Sequence, residues 1–209
     1  MLYFSKHTTD IVNDDRLMQN DILFFTETQI PINENVQTED FEHFKMFFNN
    51  NENKYLSLAY GLHDNITLEG KCDYPGFSII TIKKASFYSL SLTLMLLYKP
   101  NRQSISSFCE CLNYFVQAMS IDFIAGDFNI DGYQETQIKN ILIGYSQLVE
   151  EPTHIGGSLL DHVYVRNTIL QEFDVNVSIL NTYFSDHDAV RIKLSKKEID
   201  FQVIAQFLL

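Results

Sequence analysis

Four short acidic segments in this chain carry residue types that could do chemistry. In Gly126-Asp127-Phe128-Asn129, which closes the strand-like run Asp122–Gly126, Asp127 and Asn129 stand two apart and point the same way if the strand continues. The carboxylate could bind a metal or activate water, and the amide could donate to a phosphoryl oxygen without adding charge. The ordinary alternative is a Gly-Asp turn with an Asx cap. Asp161 interrupts the start of the otherwise apolar run Leu159–Val165, and an acid placed there needs a partner. Ser185-Asp186-His187-Asp188 sets a carboxylate beside an imidazole in one loop, although His187 could equally be a surface turn residue. Glu27 ends the apolar run Leu23–Thr26, where a charge could simply point to water.

Taken together, the four acids all fall at strand ends, where a layered fold can bring side chains to one rim. The set offers hard oxygen ligands, a histidine and an amide, with no Ser or Cys beside an evident base. That combination selects metal-assisted attack by water over covalent catalysis.

The elements that would position these groups follow from periodicity. Asp10–Asn20 predicts a short helix and Asp21–Glu27 a buried strand. Phe41–Phe48 is read as a second helix, Asn49–Asn53 as a loop, and Tyr55–Gly61 as a strand. Phe77–Ile82 and Leu90–Tyr98, rich in β-branched and aromatic residues and linked through Lys83–Ser86, predict neighbouring strands. Ile105, Phe108, Leu112, Phe115, Val116 and Met119 form the stripe of an amphipathic helix. Glu135–Leu142 predicts another helix, and Asp161–Arg166, Val175–Leu180 and Ala189–Leu194 three further strands. Several consecutive strands without crossover helices favour a layered α/β sandwich over regular βαβ winding.

Composition narrows the field. The 209 residues, 45% hydrophobic and 20% charged, suit one domain with a real core, here residues 1–195 followed by a tail, 196–209. No apolar run reaches the length of a bilayer span, and the N-terminus lacks the pattern of a signal peptide, so an intracellular setting without membrane association is expected. Cys72, Cys109 and Cys111 are an odd and sparse set that argues against a disulfide framework, and Cys109-x-Cys111 lacks the partner pair a zinc site needs, which leaves that pair as structural thiols on a helix. A formal charge of −12 opposes a broad electrostatic grip on nucleic acid but is compatible with pooled carboxylates around a cation.

The ordered series "DILFFTETQ" at Asp21–Gln29, Leu97-Tyr98-Lys99-Pro100, "GDFN" at Gly126–Asn129, "LLDHVYV" at Leu159–Val165 and "SDHDAV" at Ser185–Val190 resembles the endonuclease/exonuclease/phosphatase superfamily. The likeness is strongest to the apurinic-type endonuclease domains of non-LTR retrotransposons and Helitron-like elements, and Pro152-Thr153-His154 also resembles that branch. The resemblance implies a DNase I-like α/β/β/α sandwich of two mixed sheets and a Mg²⁺-dependent (or Mn²⁺-dependent) phosphodiester hydrolase. By the same resemblance Glu27 would hold the metal with Asp186 assisting, Asp127 would position or deprotonate water, and Asn129 would hold that water or a phosphate oxygen. Tyr98 would touch the phosphate, and His187, oriented by Asp161, would bind the scissile phosphoryl group. The implied substrate is DNA, the implied partners are a reverse transcriptase or helicase domain of the same element, and a nuclear location would fit. One departure stands out: the family's first strand, with its metal-side Asn, would align at or before Met1, so that strand is expected to be missing and a sheet edge left unpaired. A catalytically inactive binding module and a phosphatase or phosphodiesterase for small molecules remain as alternatives.

Overall fold

The computed structural model describes residues 4–30, 38–49, 52–84, 90–131, 136–196 and 199–202. Its centre is a six-stranded sheet in the order β4-β5-β6-β7-β9-β8, built from β4 (Ile66–Tyr74), β5 (Phe77–Lys84), β6 (Ser91–Tyr98), β7 (Phe123–Asp127), β8 (Tyr145–Gln147) and β9 (Asp161–Arg166). Among the described strands of this sheet only β6 and β7 run parallel, and α3 (Ile105–Ala118) makes the crossover between them.

Alternation along these strands sorts the side chains into layers. Leu92, Leu94 and Leu96 of β6, Phe123 and Ala125 of β7, and Val163 and Val165 of β9 face inward, against Ile22, Phe24, Leu58, Tyr60, Val190 and Ile192. The opposite face, with Met95, Leu97, Ile124 and Tyr164, packs on Phe108, Leu112 and Phe115 of α3 and Ile138 of α4 (Thr136–Ile141). Ser104 caps α3 by accepting from Ser107 N–H at 3.2 Å. Ile105, included in the predicted stripe, stays exposed.

The second sheet layer has two three-stranded antiparallel pieces: β1 (Ile22–Phe25), β3 (Leu58–His63) and β2 (Phe44–Asn49) in the order β1-β3-β2, and β10 (Phe173–Leu180), β11 (Ala189–Lys196) and β12 (Ile199–Gln202) in sequence order. Its outer face is covered by α1 (Phe4–Val12) and α2 (Asp15–Met18), through Phe4, Ile11 and Leu17 against Leu23, Phe25 and Ala59. A further helix, α5 (Asn167–Glu172), joins β9 to β10. The result is the four-layer α/β/β/α sandwich, with one mixed sheet and an antiparallel layer where two mixed sheets were expected. Among the described residues β1 pairs with β3 alone and forms one edge of its piece of the layer.

Phe41–Phe48 is not helical. Phe44, Met46 and Phe48 pack on the α1 side while Phe47 packs on the inner side, a period of two that makes β2. The predicted helix Asp10–Asn20 breaks at Asn13-Asp14, where Asp14 caps α2 by accepting from Arg16 N–H at 3.0 Å. Strands β4, β8 and β12 and helix α5 were not foreseen. Cys109 is buried and Cys111 exposed on α3, both as free thiols. Of the predicted tail 196–209, Ile199–Gln202 pairs as β12 with Lys193–Lys196, and residues 203–209 lie outside the described residues. Among the described residues no helix is long and apolar enough to cross a membrane.

Candidate active site

Strand register assembles the site. Tyr98 at the end of β6 pairs with Asp127 at the end of β7, and Asp127 pairs with Asp161 at the start of β9, so the three stand in one row. Alternation continues the inward faces of these strands through all three positions, placing them where the space between the two sheet layers opens at its end.

Asp127 and Asp161 are completely buried. Asn129, whose φ of 46° lies in the left-handed region that Asn tolerates, donates its backbone N–H to Asp127 Oδ1 at 2.7 Å. Its Nδ2 donates to Asp127 Oδ2 at 2.8 Å and to Lys99 O at 2.9 Å. The sequence suggested a donor for a phosphoryl oxygen, but both amide hydrogens are engaged within the protein. Asn129 therefore shapes Asp127. Burial, then the neighbouring Asp161, pushes the Asp127 carboxyl well above the ordinary range, while His187 and Asn129 oppose the rise.

His187 is 5% exposed and donates Nδ1–H to Asp161 Oδ2 at 2.8 Å. Burial alone would lower its pKa, but the Asp161 hydrogen bond and charge, with Asp127 and Asp186, raise it to about 9, so the ring is a cation at neutral pH. Its backbone is fixed by Ser185 Oγ, which accepts from His187 N–H at 3.0 Å, and by Thr182 Oγ1, which donates to His187 O at 2.6 Å. The second oxygen of Asp161, Oδ1, is buried without a hydrogen-bond partner.

Glu27 follows β1 with φ at 47°, a conformation that costs a non-glycine residue on the order of 1–3 kcal/mol. Tyr98 OH donates to Glu27 Oε1 at 2.8 Å. Burial raises the Glu27 carboxyl, Tyr98 and His187 lower it, and Asp186 raises it further. Glu27 and Tyr98 also line a cleft of about 400 Å³ with Asn53, Tyr55, Pro100, Asn101 and Arg102. Asp186 sits at the open side of the site, its side chain 49% exposed.

The site includes groups that sequence reasoning did not assign. Thr153 Oγ1 accepts from Leu160 N–H at 3.2 Å and Asp161 N–H at 3.0 Å, fixing the start of β9. Lys99 is buried, and its N–H donates to Asp127 O at 2.9 Å. Both lie in segments already picked out, Pro152-Thr153-His154 and Leu97–Pro100, but their contacts run through backbone atoms that residue types do not reveal.

The donor set suits a hard divalent cation. Among the described residues no three His, Cys, Asp or Glu side chains converge as a protein cage. Mg²⁺ does not require one, since it is commonly held by one or two carboxylates together with water and substrate phosphate. Glu27, with Oε2 outside the Tyr98 hydrogen bond, and the exposed Asp186 provide that minimum.

The sequence matches no protein-family model and no curated protein. Solved structures do resemble it. The endonuclease domain of TRAS1, a telomere-specific non-LTR retrotransposon, superposes with a TM-score of 0.66 at 17% identity, covering 87% of this chain and 88% of that one. Truncated TDP2 from Caenorhabditis elegans gives 0.64 at 13% identity, with 91% and 90% covered. An endonuclease/exonuclease/phosphatase family protein from Bacteroides thetaiotaomicron gives 0.64 at 12% identity, with 91% and 89% covered. The chain thus shares the four-layer α/β/β/α sandwich fold of these structures.

Proposed function

We propose that this chain is a Mg²⁺-dependent phosphodiester hydrolase, serving as the DNA endonuclease domain of a mobile element. The observation that carries the reading is the row Tyr98–Asp127–Asp161 with His187 clamped to its end, since three strands converge one acid, one acid–imidazole pair and one phenol on a single rim. The fold shared with an endonuclease domain of a non-LTR retrotransposon supports the choice of DNA and of a mobile element, and a reverse transcriptase or helicase domain as partner and a nuclear location follow from that choice.

In this mechanism Asp127, held by both nitrogens of Asn129, takes the proton of the attacking water; its raised pKa makes it a stronger base than an ordinary carboxylate. The water oxygen bonds to phosphorus as the opposite P–O ester bond breaks in line, and the leaving oxygen keeps the bonding pair and takes a proton from solvent. His187, its Nδ1 committed to Asp161, presents Nε2–H and a positive charge to the phosphoryl oxygens as negative charge grows on them. Tyr98 orients Glu27. Bound by Glu27 and Asp186, Mg²⁺ (or Mn²⁺) would neutralise phosphate charge and polarise the phosphorus centre.

A second reading, a domain that keeps the fold without turnover, draws on the complete enclosure of Asp127 and the unpartnered Asp161 Oδ1. A substrate comparison separates the candidates. The endonuclease cuts plasmid DNA with Mg²⁺ and stops with EDTA; a small-molecule phosphodiesterase cleaves bis-p-nitrophenyl phosphate and leaves plasmid intact; an inactive domain does neither.

A further inference from the structure

His154 has no part in the machinery above, yet the fold brings it to the same rim. Its segment forms an antiparallel bridge with His187, in which Ile155 N–H donates to Asp186 O at 2.9 Å and Asp188 N–H to Thr153 O at 2.7 Å. The His154 ring meets the His187 ring edge-on, with centroids 4.9 Å apart at 71°.

Gly156 N–H donates to His154 Nδ1 at 2.9 Å. A ring nitrogen that accepts a backbone N–H carries no proton, so the ring proton sits on Nε2. Nε2 is also the atom that faces Asp186, 4.0 Å from Oδ2. That gap is too long for a direct hydrogen bond. The Asp186 side chain, 49% exposed, has room to turn toward Nε2.

We propose that His154 is a positioning residue for Asp186: its Nε2–H holds the carboxylate in the orientation in which, with Glu27, it takes a divalent cation. This rests on the metal-dependent reading of the site. Carboxylates that bind metals are themselves held by hydrogen bonds, and losing such a partner typically weakens metal affinity about 10–100-fold.

The test is a Mn²⁺ titration of the whole chain followed by electron paramagnetic resonance, which needs no turnover. Wild type should bind the ion, and His154→Ala should bind it about 10-fold more weakly. His154→Gln, which keeps an N–H donor on a side chain of similar reach, should recover most of the affinity. Gly156→Ala should reproduce the loss with His154 intact, because the added Cβ would come within 2.9 Å of Nδ1 and displace the ring. Wild-type affinity in His154→Ala or in Gly156→Ala overturns the proposal, as does failure of His154→Gln to recover while its melting temperature matches wild type. No Mn²⁺ binding by wild type itself overturns the metal-dependent reading, and the proposal with it.

Discussion

Asp127 and Asp161 stand directly opposite one another across β7 and β9, two fully buried carboxylates in paired register. The arrangement is tolerable because each is engaged differently, Asp127 by the two nitrogens of Asn129 and Asp161 by the imidazole of His187. The same pairing raises the affinity of Asp127 for a proton and keeps His187 charged. The chemistry of the site therefore depends on which carboxylate is altered.

Asp161→Asn should uncouple His187. With the partner charge and its hydrogen bond removed, only Asp127 and Asp186 still oppose burial, and the ring should titrate well below about 9. Proton NMR of the His187 ring reads this directly, and phosphodiester cleavage at neutral pH should fall about 10²-fold or more as the cationic donor is lost. An unchanged midpoint would contradict the assignment.

Stability should follow the same titration. Because the folded-state pKa of His187 is raised, its contribution is fully present below 6.5 and is lost as pH rises through about 9. Melting temperature measured from pH 6 to 10 should decline across that interval in wild type, and the decline should be much smaller in His187→Gln. Activity that needs the imidazolium should have its alkaline limb at about 9, with an acid limb from Asp127 above the ordinary carboxylate range.

Tyr98→Phe should separate positioning from packing. The ring remains in the core and only the hydroxyl that donates to Glu27 is lost, so stability should change by no more than about 1.5 kcal/mol. Cleavage should fall roughly tenfold, the cost of about one net hydrogen bond at the site. Denaturant melts and initial rates on one preparation check both statements.

Gly126 should be irreplaceable. A Cβ there would lie 1.8 Å from Leu97 O, where β6 and β7 run side by side, and no flexible side chain is available to yield. Gly126→Ala should cost more than about 4 kcal/mol, enough to unfold a chain of ordinary marginal stability. Gly70→Ala, whose Cβ would meet nothing nearer than 3.7 Å, should change stability by about 1 kcal/mol at most. Thermal melts or soluble yield distinguish the two.

Much of this was legible in the sequence because alternation and strand ends carry the information. The inward parity of Leu94, Leu96 and Tyr98, of Phe123, Ala125 and Asp127, and of Asp161, Val163 and Val165 is written in the residue types, and the structure brings these named acids together. Phe41–Phe48 misled because five apolar residues in a short span fit a helix or a strand almost equally, and only pairing with β3 decides. The role of Asn129 was hidden for a different reason. An amide can bond outward or inward, and the carbonyl of Lys99 that claims it is a backbone atom thirty residues distant.

The central claim is that this rim hydrolyses phosphodiesters in DNA, and single-turnover nicking of supercoiled plasmid tests it most directly. With excess protein and Mg²⁺, wild type should convert supercoiled to open-circular plasmid, EDTA should stop it, and Asp127→Ala and His187→Ala should each reduce the rate at least 10²-fold. No nicking by wild type, or nicking that survives EDTA or either substitution, would contradict the account.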